Sequence, residues 1–226
     1  GKLGLACHDN RRFMITTGLL GGSFNPAHGA HRSISLFAMH ALELDEFWWL
    51  VSPGNPLKEG AKDMAPLRAR LASAQKMARR STIQPTVIEQ NLGTRYTYDT
   101  LLELVRRYPK RQFVWIMGAD NLAQFHRWKD WRKIARLLPI AVISRPGYDG
   151  DAFAAPAMAW LRRFVHPASQ RGNWTNWSTP ALTFLRYRSD PRSATALRMA
   201  RPHWHQQYEN SCVRDAVTHK LLCKED

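Results

Sequence analysis

The sequence predicts an α/β fold, an open parallel sheet with helices packed on its faces. Three observations carry that expectation. Short apolar, β-branched runs alternate with segments of helical periodicity, one run (QFVWIMG, 112–118) is apolar almost throughout, and glycine- or proline-rich polar insertions follow the runs. Alternating strands and helices build a parallel sheet with right-handed crossovers, whose central strands are covered on both faces and have no polar side to show.

MITTGLL (14–20) reads as the first strand, ending at Gly21-Gly22, and from Ala27 to Leu42 the apolar residues Ile34, Phe37, Ala38, Ala41 and Leu42 recur at helical spacing. EFWWLVSP (46–53) is the second strand, with PGNPLKEG as its outlet loop. A helix follows from Pro66 to Arg80, opened by proline and apolar at Leu67, Leu71, Ala74, Met77 and Ala78. TVIEQ (86–90) suggests a third strand, before the polar loop NLGTRYT and a helix through Leu101, Leu102, Leu104 and Val105. QFVWIMG is the fourth strand, WRKIARLLP ends another helix, and AVIS (141–144) is the fifth strand, running into Arg145-Pro146-Gly147.

The pattern weakens further on. DAFAAPAMAWLRRF is partly helical, ALTFLRY a last strand, SATALRMA a short helix, and Trp204 to Leu222 a terminal helix. Ligands of open α/β sheets bind at the carboxyl ends of the strands, above all where strand order reverses, so the polar outlets converge on one cleft.

Composition narrows the function. The 226 residues contain 33 basic and 18 acidic side chains, a formal charge of +15, which points to polyanionic partners. Nucleotide triphosphate and nucleic acid both qualify, but the cations are scattered and form no basic arm or zinc-finger spacing, so no specific nucleic-acid site is expected. No stretch reaches the roughly 18 apolar residues of a membrane span, and the start lacks a signal-peptide pattern. Cys7, Cys212 and Cys223 read as three thiols without a paired framework, hence a reduced, cytoplasmic protein.

The densest chemistry lies in LLGGSFNPAHGAH, from Leu19 to His31. Gly21 and Gly22 can turn tightly and let a phosphate approach the backbone, and the following helix offers unpaired amides. His28 and His31, three apart, share one face of the first helical turn, where imidazole can hydrogen-bond phosphate oxygen or simply cap the helix. Neither GxGxxG nor GxxxxGK[ST] is present, and no third ligand at a persuasive spacing completes a zinc site.

GGSFNPAHGAH resembles the signature of the nucleotidylyltransferase superfamily, whose element is (H/T)xGH. With VSPGNPLK (51–58), GTRYTYDTL (93–101), IMGADNLAQFHRW (116–128), ISRPG (143–147) and RSATALR (192–198), the chain is similar to bacterial nicotinate-nucleotide adenylyltransferases. The resemblance implies a Rossmann-like open parallel sheet of nucleotidylyltransferase type. It also implies one nucleotidylyltransferase domain over 1–226, with a short basic N-terminal lead and a divergent C-terminal helical region. Ala30 stands where the family usually has glycine, and Gly54 where relatives commonly have glutamine.

The reaction so implied is transfer of AMP from ATP to nicotinic acid mononucleotide, giving nicotinic acid adenine dinucleotide and pyrophosphate in NAD biosynthesis. A phosphate monoester with second pKa near ~6 is already largely dianionic at neutral pH, so no protein nucleophile is needed. The task is to hold two polyanions in line and stabilise charge moving onto pyrophosphate.

By the resemblance, His28, His31 and Arg198 carry the catalysis, while Gly21, Gly22, Ser23, Gly118, Asp120, Ser193, Thr195 and Arg198 hold ATP. Asn25, Lys58, Thr94, Tyr96, Trp128 and Arg145 hold the mononucleotide, with the Thr94 hydroxyl and loop amides addressing the carboxylate and Trp128 stacking on the ring. Each has a plainer reading: a turn or cap for Ser23, Asn25, Asp120 and Arg145, solvent for Lys58, core packing for Tyr96 and Trp128, a capped surface helix for Ser193, Thr195 and Arg198. Magnesium is expected to accompany ATP without a protein-built metal site. The oligomeric state stays open, a homo-oligomer included.

Overall fold

The computed structural model describes residues 14–54, 64–145, 149–188, 198–209 and 212–224. Seven strands form one sheet: β1 (Ile15–Gly22), β2 (Glu46–Val51), β3 (Ile83–Thr86), β4 (Arg111–Gly118), β5 (Ile140–Ser144), β6 (Val165–His166) and β7 (Leu182–Arg186). Their order is β3-β2-β1-β4-β5-β7-β6 and every pairing is parallel. Order reverses between β1 and β4, so the outlets of these two central strands diverge and leave a crevice.

The helices are α1 (Gly29–Ala41), α2 (Leu67–Ala78), α3 (Ile88–Leu92), α4 (Thr97–Arg107), α5 (Ala119–Gln124), α6 (Trp131–Leu137), α7 (Asp149–Phe153) and α8 (Met158–Leu161). The period of two along the strands divides the core into two layers. Phe47, Trp49 and Val51 of β2 join Val114 and Ile116 of β4 in a cluster with Ala38 and Ala41 of α1 and Leu71 and Ala74 of α2. Trp48 and Leu50 face the other way, with Trp115 and Met117, against Leu101 and Leu104 of α4 and Ile134 of α6. Every residue of β2 and β5 is buried, as unbroken apolar runs require.

The first, second, fourth and fifth expected strands and the helices after the first two form as read, and ALTFLRY supplies β7. TVIEQ does not form a strand. Thr86 ends β3, and its hydroxyl accepts the Ile88 N–H at 3.0 Å, turning the β-branched run into α3. Gly93, at φ 67°, ends that helix in the left-handed region.

The expected terminal helix is replaced by a 3-10 turn (Trp204–Tyr208) and a hairpin of β8 (Val213–Arg214) and β9 (Leu221–Leu222). Asp215 Oδ1 accepts the N–H groups of Val217 and Thr218 at 2.8 and 3.0 Å, a side-chain turn that competes with helix. Cys212 and Cys223, read from the sequence as unpaired thiols, are joined by a disulfide across this hairpin. Most of SATALR and the N-terminal lead lie outside the described residues; 198–200 is helical.

Candidate active site

The chain leaves β1 through Ser23, which is exposed, and Phe24, at φ 50° and 1% exposed. Phe24 stacks on Trp49 with ring centroids 5.1 Å apart and lies 4.6 Å from the His31 ring. The core thus supports the histidine pair from below.

His28 and His31 cap α1 reciprocally. The His28 Nδ1 accepts the Ala30 N–H at 3.2 Å, and the His31 Nδ1 accepts the His28 N–H at 3.1 Å. A neutral imidazole whose Nδ1 accepts must carry its proton on Nε2, so capping sets the tautomer of both rings in their neutral form. The capping reading is realised for both rings. Ala30 is buried at 6% exposure, and its methyl leaves this geometry intact.

Burial, with a smaller contribution from the adjacent His28, pushes the His31 pKa down to about 3. At neutral pH the ring is an uncharged donor. Unfolded His31 takes a proton near ~6.5 and the folded residue does not until about 3, so its burial opposes folding progressively as pH falls through that window and has no effect above it. Between pH 6.5 and 5, wild-type stability should fall more steeply than that of His31→Asn, by up to about 1.4 kcal/mol per pH unit. Parallel denaturation curves at the two pH values would show that the ring protonates within the fold.

Beneath the turn lies Arg70 of α2, 1% exposed. Its guanidinium donates to the carbonyls of Ser23 (2.9 Å), Ser52 (2.5 Å), Pro53 (3.0 Å) and Ala65 (2.9 Å), tying the outlets of β1 and β2 to the start of α2. No carboxylate among the described residues pairs with it, and burial lowers its pKa to about 10, leaving it charged at neutral pH. Sequence reading passed over Arg70; an arginine within the small-residue stripe RARLASA was the available signal.

Asn25, 3% exposed, accepts the Ala65 N–H at 3.2 Å and so organises the loop. Arg198 donates to the Asn25 carbonyl, bringing the end of the SATALR segment onto the histidine turn. Ser193, Thr195 and Lys58 lie outside the described residues.

On the other side of the crevice, β4 ends at Gly118, where an added Cβ would meet nothing within 4 Å, and Asp120 is exposed in the first turn of α5. Trp115 of β4 connects the two halves. A Cβ on Gly21 would come within 3.0 Å of its ring, and Trp128 packs edge-on against it at 6.2 Å.

Thr94 and Tyr96 lie on the loop from α3 to α4, and Lys129, next to Trp128 in sequence, sits 4.5 Å above the Tyr96 ring. The Thr94 and Thr100 hydroxyls are 2.7 Å apart, and Thr100 donates to Glu89 at 3.0 Å. Thr94 then donates inward to Thr100, leaving the loop amides as the donors for a carboxylate. Burial raises the Glu89 pKa, against the Thr100 hydrogen bond. Arg145 is exposed at the end of β5.

Among the described residues, no three His, Cys, Asp or Glu side chains group as a metal-binding set, and both cap histidines spend Nδ1 on backbone amides. A protein-built magnesium cage does not fit these residues.

A parallel sheet carrying a histidine-capped helix at its reversal of strand order defines an α/β protein of the nucleotide-binding type. The chain belongs to the cytidylyltransferase-like family, whose model matches residues 19–200. It is 61% identical over 208 residues to the probable nicotinate-nucleotide adenylyltransferase of Erythrobacter litoralis, covering 92% of this chain and 94% of that one. A Bradyrhizobium protein of the same name is 48% identical over 187 residues, 83% of this chain and 97% of the relative.

Among solved structures, Plasmodium falciparum nicotinic acid mononucleotide adenylyltransferase complexed with APC matches with TM-score 0.57 at 15% identity, over 82% of this chain and 83% of that one. Its complex with NaAD matches with TM-score 0.54 at 14% identity, over the same shares. Both share the fold. No helix among the described residues is long and apolar enough to cross a membrane.

Proposed function

We propose that this protein transfers the adenylyl group of ATP to nicotinic acid mononucleotide, forming nicotinic acid adenine dinucleotide and pyrophosphate. The observation that carries the reading is the reciprocal histidine cap, which sets His28 and His31 side by side at the outlet of β1 where strand order reverses. The names of the Erythrobacter and Bradyrhizobium relatives support the choice of acceptor.

An oxygen of the mononucleotide phosphate attacks the α-phosphorus of ATP; that P–O bond forms as the bond to the bridging oxygen breaks, and the electron pair leaves with pyrophosphate. His28 and His31 donate to phosphate oxygens as charge shifts outward, with no proton transfer required. Gly21, Gly22 and Ser23 bring backbone and hydroxyl donors to the same phosphates, and Arg198, Ser193 and Thr195 take the departing β- and γ-phosphates. Gly118 and Asp120 address the ATP ribose. Asn25, through the turn it organises, Lys58 and Arg145 address the mononucleotide phosphate and ribose.

Trp128 stacks on the pyridine ring, and the loop holding Thr94 and Tyr96 receives its carboxylate. Magnesium bound with ATP would supply charge neutralisation for the departing pyrophosphate, with no dedicated side-chain set among the described residues to hold it. We assign the whole chain, 1–226, to one catalytic unit working in the cytoplasm.

The test is ATP-dependent pyrophosphate release with nicotinic acid mononucleotide against the nicotinamide form. We expect kcat/KM to favour the acid; release with neither acceptor would overturn the proposal. Trp128→Ala should raise KM for the mononucleotide about tenfold or more while moving KM for ATP less than about twofold. Equal shifts would remove Trp128 from the acceptor subsite.

A further inference from the structure

Among the described residues the mechanism leaves two buried carboxylates unused, Glu46 and Asp215. Asp215, in the turn between β8 and β9, is 0% exposed and has both oxygens engaged. Oδ1 closes its own turn on Val217 and Thr218, while Oδ2 accepts the Thr86 hydroxyl at 2.9 Å and the Val87 N–H at 2.7 Å. Such donors compensate a carboxylate removed from water.

These contacts join two segments far apart in the chain. The Ala216 N–H adds a bond to the Pro85 carbonyl at 3.4 Å, and Gln75 of α2 donates to the Arg214 carbonyl. The C-terminal hairpin is thereby seated on the start of α3. That helix has five residues, far below the roughly 12 to 15 at which a helix is stable alone, so its position is set by what holds its ends.

One end is held by Asp215 and Thr86, the other by the Gly93 cap and the Glu89–Thr100–Thr94 hydrogen bonds. The loop from Gly93 to Tyr96 follows directly on its carboxyl end.

We propose that Asp215 is a positioning residue for the acceptor: by anchoring the amino end of α3, the C-terminal hairpin sets the position of the Gly93–Tyr96 loop, on whose Tyr96 ring Lys129 packs. This rests on assigning that loop to the nicotinate end of the substrate. The histidine turn is braced separately, by its own cap and by Arg70, so the effect is confined to one substrate.

In Asp215→Asn the side-chain amide turns a donor toward groups that are themselves donors. We expect KM for nicotinic acid mononucleotide to rise about tenfold, with kcat and KM for ATP within about twofold of the parent. Hydrogen exchange should rise over residues 86–96 and stay unchanged at the β1 turn. Thr86→Val, which removes one bond to Asp215 and the cap on Ile88, should act in the same direction more weakly, and it serves if the asparagine variant does not fold.

Equal changes in both KM values, or parent-like exchange over 86–96 in a folded variant, would overturn the proposal. If the parent protein does not use the mononucleotide, the exchange measurement still decides whether Asp215 holds the loop, and the catalytic reading alone falls.

Discussion

His31→Ala is expected to lower kcat by about 10²- to 10³-fold, the typical effect of removing one donor from a site where charge develops. Its proton is on Nε2 because Nδ1 is committed to the His28 amide, and alanine removes the cap and the proposed donor together. The fold should survive, since losing one partner in a helix cap costs roughly 1 kcal/mol. KM for ATP should change little, because the donor's advantage comes as charge moves onto pyrophosphate.

The low pKa of His31 adds a second expectation. A ring neutral down to about 3 contributes no acid limb between pH 5 and 8 in the free enzyme. The fall in kcat/KM for the mononucleotide below pH ~6 should therefore be that of the acceptor phosphate, and it should persist in the variant at a lower plateau. A kcat within a few-fold of the parent, in a variant with parent-like circular dichroism, would remove His31 from the mechanism.

The sheet was legible because its central strands obey a local rule. Residues 47–51 and 113–117 are buried and apolar at every position, and the period of two that sorts their side chains into layers is contained within them. Gly21-Gly22 and the histidine spacing were legible for the same reason: turn, cap and helix lie within a dozen residues.

What escaped depends on partners distant in sequence. Thr86-Val87-Ile88 has β propensity, yet its backbone turns because Thr86 caps Ile88 and Asp215, 128 residues beyond Val87, takes the Val87 N–H. Likewise the terminal segment reads as helix until Asp215 closes its turn and Cys212 meets Cys223. Arg70 went unnoticed because an arginine among small helical residues looks exposed. Only the assembled outlets of β1 and β2, with Ala65 before α2, supply the four carbonyls that accept from it.

Arg70→Met should have the largest effect on stability. Methionine keeps most of the volume but deletes the donors to four carbonyls gathered beneath the site. Bonds from a charged donor contribute about 1.5–3 kcal/mol each, and water can reach some of the freed carbonyls, so the net loss should be about 3–5 kcal/mol. For a chain of this size that lowers Tm by roughly 6–20 °C. Arg70→Lys should fall between, because a single ammonium keeps the charge but cannot span outlets that a planar fork joins.

A second readout separates clamp from charge. With no carboxylate among the described residues to balance it, Arg70 favours anions in the crevice. The rise in Tm on saturating with ATP should therefore be smaller in the methionine variant than in the lysine one. If Arg70→Met melts within about 2 °C of the parent, the carbonyls do not depend on the guanidinium, and the turn that presents His28 and His31 must be held by its own cap and by Phe24 stacked on Trp49.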